Sequence, residues 1–156
     1  MKAQSQEPNL RFANQNDILA LMALEREAPT AAHWSAEQYR DAVGSRIVPR
    51  IVLVIEKDLR LLGFLVARAV EREWEIENVV VAEAARRSGF GSRLLMEFLN
   101  IAHSRGAAEV SLEVRESNTG ARRFYESCNF QHLGSRLRYY RNPEENAALY
   151  RLMLSR

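Results

Sequence analysis

The strongest chemical signal in this chain is a short basic, glycine-bearing segment between an apolar run and an amphipathic stretch. Arg86-Arg87-Ser88-Gly89-Phe90-Gly91-Ser92 follows Val79-Val80-Val81 and runs into apolar positions at Phe90, Leu94, Leu95, Phe98, Leu99 and Ala102. That spacing is a single helical stripe. The first N–H groups of a helix lack intrahelical acceptors, and the macrodipole adds partial positive charge there. Gly89 and Gly91 let the backbone approach a phosphate, and the two arginines add charge-assisted contacts. The segment matches neither nucleotide signature, since it has no GxxxxGK[ST] and Leu94 stands where GxGxxG needs its third glycine. A plain strand-to-helix turn is the alternative. Strand before, helix after and arginines within favour an anion site.

Acid–base groups are fewer. Glu113 stands between Leu112 and Val114, where partial desolvation makes a carboxylate a competent general base. The alternative is a polar residue on an exposed strand face, which the residues alone favour slightly. Glu77 competes, because Glu75, Glu77, Val79 and Val81 share one face of a regular strand leading to the basic segment. Tyr125 lies beside Phe124 on a helical stripe, more often a core position than a proton donor. His33, His103 and His132 lack metal-ligand spacing with each other or with Cys128, so no metal site is expected. Cys128, next but one to Phe130, reads as a buried thiol. No GxSxG elbow supports a serine nucleophile.

These groups need elements to hold them. Leu10 and Phe12 start a short strand, and Asn16 or Asp17 caps a helix through Ile18, Leu21 and Met22 that ends at Pro29. Ser35 and Gln38 form a capping-box pair for a second helix closed by Gly44. Ile51 to Ile55, a Lys57-Asp58 turn, Leu61 to Val70 and Trp74 to Val81 read as antiparallel strands. The long helix ends at Gly106, Val110, Leu112 and Val114 share one strand face, and Asn118 caps the helix of Tyr125. Phe130 to Leu137 and Leu149 to Leu154 are the last strands. Strand–helix–strand across residues 76–114 requires a parallel pair with a right-handed crossover. The class is α/β, or α+β with a mixed sheet.

The 156 residues carry 22 Lys+Arg against 20 Asp+Glu, a formal charge of +2. That is too little for nucleic-acid binding, which draws its affinity from clustered basic patches. No apolar run nears the roughly 20 residues of a membrane helix, and residues 1–10 lack a signal-peptide core. Single Cys128 excludes an intramolecular disulfide. The expectation is a cytoplasmic chain with a flexible stretch over residues 1–8 and a single domain over 9–156, as monomer or homodimer, with no membrane partner.

Val79 to Gly91 resembles motif A of the GCN5-related N-acetyltransferases, whose core is Arg/Gln-x-x-Gly-x-Gly/Ala. The likeness continues through Leu112-Glu113-Val114-Arg115, Asn118 and Phe124-Tyr125-Glu126-Ser127-Cys128-Asn129-Phe130. Glu-Val-Arg, Asn, Tyr-Glu-Ser and Tyr139-Tyr140 in this order, with His33-Trp34-Ser35, resemble more narrowly the bacterial ribosomal-protein alanine N-acetyltransferases. The match runs over about residues 10–155. It departs at Cys128-Asn129, where Leu-Gly is usual, and over 142–147, where Asn146 replaces an aspartate.

The resemblance implies the GNAT fold: a central sheet of about six to seven strands with a splayed parallel pair and about four flanking helices. It implies acetyl-CoA as cosubstrate and no metal. Arg86, Arg87, Ser88, Gly89, Phe90, Gly91 and Ser92 would hold the pyrophosphate. Val79, Val80 and Val81 would line the pantetheine arm, the Val81 N–H stabilising the oxyanion. Asn118 would contact the cofactor. Glu113 becomes the general base and Tyr125 the donor to the departing thiolate, which also touches the cofactor. Trp34, Glu77, Tyr139 and Tyr140 would bind the acceptor.

Base strength bears on that acceptor. At pH 7 roughly a seventh of α-amino groups are neutral, against about one lysine in a few thousand, so a modest carboxylate suffices for a protein N-terminus. The expected reaction is acetyl transfer to the N-terminal Ala or Ser of a protein such as a ribosomal one. A small amine, polyamine or lysine acceptor is the alternative, and a non-catalytic acyl-CoA-binding module the third.

Overall fold

The computed structural model describes residues 6–28, 33–44 and 49–155. Its elements in chain order are β1 (Asn9–Phe12), α1 (Ile18–Arg26), α2 (Ala36–Gly44), β2 (Arg50–Lys57), β3 (Arg60–Val70) and β4 (Glu73–Val81). Then come α3 (Phe90–Ser104), β5 (Glu109–Arg115), α4 (Thr119–Ser127), β6 (Gln131–Tyr140) and β7 (Glu145–Met153). The strands form one mixed sheet in the order β1-β2-β3-β4-β5-β7-β6, with β4 and β5 parallel across the α3 crossover.

Both faces of the central strands are buried, which alternation along β2 makes possible. Ile51, Leu53 and Ile55 meet Leu94, Leu95 and Phe98 of α3, while Val52 and Val54 meet Leu21 of α1 and Tyr39 of α2. Phe98, fully buried, sets its ring edge-on to Trp74 at 5.8 Å. Burying such side chains contributes roughly 1.5–3 kcal/mol each.

Local signals account for most element ends. Ser35 and Gln38 exchange reciprocal bonds of 2.8 and 3.2 Å before α2. The β2–β3 turn takes left-handed conformations at Asp58 and Leu59, matching strand twist. Gly106 turns left-handed just past α3, and the Asn118 Oδ1 accepts from Ala121 N–H at 3.2 Å to start α4. Two expectations shift. The first cap is Asn14, whose Oδ1 takes the Asn16 N–H at 2.9 Å and starts a 3-10 turn that leads into α1. Asp17 completes a capping box by accepting the Asn14 N–H at 2.8 Å, and the same carboxylate binds the Arg11 guanidinium at 2.8 and 2.9 Å. Pro29, read as the end of α1, lies outside the described residues, as do residues 1–5 of the expected flexible stretch.

The largest departure lies in β4. Val66 pairs with Asn78 and Ala67 with Ile76, so Glu77 has no partner and bulges. An extra residue flips the side-chain parity beyond it. Trp74, Ile76 and Val79 pack on the α3 side, whereas Val80 packs with α1 and α2. Glu75 and Glu77 therefore do not share a face with Val79 and Val81, contrary to the regular alternation expected.

Candidate active site

Parallel pairing of β4 with β5 stops at Ile76 opposite Leu112. Beyond that rung the strands diverge, and a cleft of about 660 Å³ opens between them. Glu77, Asn78 and Val79 form one wall; Glu113, Val114 and Arg115 form the other. The Ala82 N–H donates to Leu62 O at 2.7 Å on the β3 side. By the strand alternation, the Val80 backbone also faces β3, while the N–H and C=O groups of Val79 and Val81 face the open edge. Val80 turns its side chain into the core as well, so it offers the cleft nothing.

The basic segment lies past the end of β4, on the surface. Arg86, Arg87, Ser88 and Gly89 are exposed. Gly89 takes φ 79°, ψ 10° as the residue before α3, a left-handed conformation that costs most side chains. A methyl group there would meet no atom within 4 Å, so the space above it is open. The first helical bond runs from Arg93 N–H to Gly89 O at 3.1 Å, which leaves the N–H groups of Phe90, Gly91 and Ser92 without helical partners. Gly91 sits between Val81 and Phe124, 3.8 and 3.7 Å from where its Cβ would be. Arg86 reaches back to the Val81 carbonyl at 3.4 Å.

Tyr125 and Asn118 line the cleft from α4. Tyr125 is buried against Phe124 and Phe130. Burial first, then the neighbouring Cys128 and Tyr140, raises its phenol pKa above the ordinary 10, so it stays protonated at neutral pH. Cys128 is half-buried, and Asn129 adopts the left-handed turn, φ 69°, that glycine would take.

The carboxylates divide by their partners. Glu77 is held by Arg50 at 3.2 Å and Arg68 at 3.4 Å, and Arg68 also binds Glu75 at 2.6 Å. Two guanidiniums on one carboxylate anchor it. Among the described residues Glu113 meets a single cation, Arg136, at 3.2 Å, and that arginine is largely exposed. The neighbouring Glu113 carboxylate, then burial, raises the Tyr139 pKa, so that phenol keeps its proton at neutral pH. Burial, followed by Tyr139 and Glu113, pushes Tyr140 up to about 12. The Arg115 guanidinium stacks on Tyr140 at 4.4 Å and Arg136 on Tyr139 at 5.1 Å. Trp34 closes the far rim, with Arg50 5.8 Å from its ring centre.

The cleft thus gathers Trp34, Glu77, Val79, Glu113, Asn118, Tyr125, Tyr139 and Tyr140, with Val81 and residues 86–92 beyond one end. Arg50, Arg68, Asn78 and Arg136 were not legible as site residues, since only cross-strand register brings them there. Asn146, linked by resemblance to amine recognition, uses its Oδ1 on the Arg138 N–H at 2.9 Å. It holds the irregular turn of β6, where Arg138 is left-handed and Tyr139 follows. Among the described residues no group of His, Cys, Asp and Glu could hold a metal ion, and no helix is long and apolar enough to cross a membrane.

A glycine-led helix start beyond a splayed parallel pair is matched by the acetyltransferase (GNAT) family over residues 18–130. The chain belongs to the GNAT acetyltransferase family. It is therefore an acyltransferase that uses acetyl-CoA. The ribosomal protein bS18-alanine N-acetyltransferase of Haemophilus ducreyi is 32% identical over 134 residues, 82% of this chain and 90% of that protein. The crystal structure of the ribosomal-protein-S18-alanine N-acetyltransferase from Escherichia coli superposes with TM-score 0.83 at 25% identity, covering 96% of each chain. YncA of Salmonella typhimurium, solved with its cofactor acetyl-CoA, shares the fold at TM-score 0.83 and 17% identity, over 97% of this chain and 96% of its own.

Proposed function

We propose that this protein transfers the acetyl group of acetyl-CoA to the N-terminal α-amine of a protein, a ribosomal one beginning with Ala or Ser. The observation that carries the reading is the open cleft in which Glu113 and Tyr125 line facing elements between the splayed strands. The names of the H. ducreyi and E. coli relatives support the acceptor class. A ribosomal acceptor implies work in the cytoplasm.

The unpartnered N–H groups of Phe90, Gly91 and Ser92 take the diphosphate, with the exposed guanidiniums of Arg86 and Arg87 beside them to add charge. The pantetheine arm runs along the free edge of β4 as an added strand, bonded to Val79 and Val81. Glu113 takes a proton from the amine nitrogen, directly or through water, as the lone pair of the neutral amine adds to the thioester carbonyl. The Val81 N–H faces the oxygen on which charge develops. The C–S bond then breaks, and Tyr125 supplies a proton to the leaving thiolate. Its raised pKa keeps that proton available. Glu77, bound by Arg50 and Arg68, serves as scaffold for the acceptor wall rather than as base. Trp34, Tyr139 and Tyr140 form a slot for a short N-terminal side chain.

Mass spectrometry of synthetic peptides incubated with the protein and acetyl-CoA tests this. Acetylation of Ala- and Ser-starting peptides at the α-amine is expected. Turnover of polyamines or lysine side chains alone, or coenzyme A binding without turnover, would overturn the acceptor assignment.

A further inference from the structure

Glu25 of α1 is 2% exposed, one of the few buried charged or polar side chains in the described residues. A buried carboxylate is costly unless donors surround it. Its Oε1 accepts from the Trp34 backbone N–H at 2.9 Å and from Asn78 Nδ2 at 3.2 Å. The Tyr39 hydroxyl, also buried, lies beside the carboxylate and has no hydrogen-bond partner among the described residues. Burial and the Glu25 charge hold that phenol protonated.

The two groups that Glu25 joins belong to different parts of the cleft. Trp34 walls the acceptor end, and its ring packs on Tyr39 at 5.4 Å. Asn78 sits at the β4 bulge, directly before the strand edge formed by Val79 and Val81. One oxygen atom therefore ties the acceptor wall to the strand that faces the thioester. We propose that Glu25 is a positioning residue: by placing Oε1 between Trp34 and Asn78 it sets the width of the acceptor slot. This rests on the acceptor reading above.

Reach and charge can be separated. Glu25→Gln keeps an oxygen at the same distance and loses the charge. Glu25→Asp keeps the charge but falls one methylene short of bonding both partners. In a Trp74→Phe background Trp34 is the sole tryptophan, so acrylamide quenching reads its placement without any substrate. The expected result is parental quenching and parental acceptor KM for Gln. For Asp, the quenching constant should at least double, acceptor KM should rise about tenfold, and the coenzyme A Kd should stay within twofold. An Asp variant with parental quenching and acceptor KM overturns the proposal, whatever its Tm, and so does a Gln variant impaired as much as Asp. If the unmutated protein acetylates no peptide, the acceptor reading fails while the quenching comparison still decides whether Glu25 places Trp34.

Discussion

Gly89 offers a test in which strain and charge are held apart. Replacing it by Asn or Asp introduces side chains of nearly equal shape at φ 79°, a region both tolerate better than other residues. No atom lies within 4 Å of the new Cβ, so neither variant clashes with the fold. Each should lose at most about 1 kcal/mol, a Tm decrease of roughly 2–4 °C for a domain of this size. The two differ only in one negative charge at the mouth of α3. Against a diphosphate with two charges about 5 Å away, at the water-like dielectric of an exposed loop, repulsion is ~0.8 kcal/mol per charge, or ~1.7 kcal/mol. Coenzyme A should then bind Gly89→Asp about 15-fold more weakly than Gly89→Asn. Calorimetric titration at low salt reads the gap, and 0.5 M salt should shrink it. Equal affinities in the two variants would refute a diphosphate at this helix start.

Glu113→Gln should lower kcat by about 10²-fold, most at low pH where the amine is protonated, with coenzyme A affinity unchanged. Wild-type turnover would remove Glu113 from its role. Tyr125→Phe should lower kcat by about 10²-fold. In the parent, kcat/KM should rise through the α-amine pKa near 8 and not fall again by pH 10, because burial holds the Tyr125 phenol protonated beyond its ordinary range. An alkaline decline below pH 10 would contradict that. Arg11→Met strands Asp17, which is 7% exposed and keeps only its backbone bond from Asn14, and should cost about 2 kcal/mol of stability at pH 7. Arg11 holds the folded Asp17 below its ordinary pKa. Its contribution is complete above the unfolded value near 3.9 and is lost as pH falls through the lower folded one, so urea melts of variant and parent should converge only in acid.

How far the site can be read from residue order depends on how local its causes are. The basic segment was legible because a strand, two glycines and a helical stripe occupy consecutive positions, and helix-start electrostatics acts within one turn. The Ser35 capping box and the Asn118 cap were legible for the same reason, their donors and acceptors lying three residues apart. The bulge at Glu77 was not. It depends on β3 register, and a single unpaired residue reverses every later side chain, which separated Glu77 from Val79.

The competition between Glu113 and Glu77 shows the same division. Each is a glutamate within a strand, Glu113 between Leu112 and Val114 and Glu77 between Ile76 and Asn78, so composition alone separates them little. Arg50 and Arg68 reach Glu77 from two other strands, while Glu113 keeps one exposed arginine and a tyrosine.

Sequence alone determined where the candidate groups lie: the basic, glycine-bearing turn, the carboxylate and phenol on successive elements, and the order of strands and helices that spaces them. Tertiary structure decided which carboxylate is anchored, which valines face the opening, and that Glu25 joins Trp34 to Asn78. Hydrogen bonds within one turn connect neighbours along the chain, whereas register, bulges and buried ion pairs connect residues that only the sheet brings together.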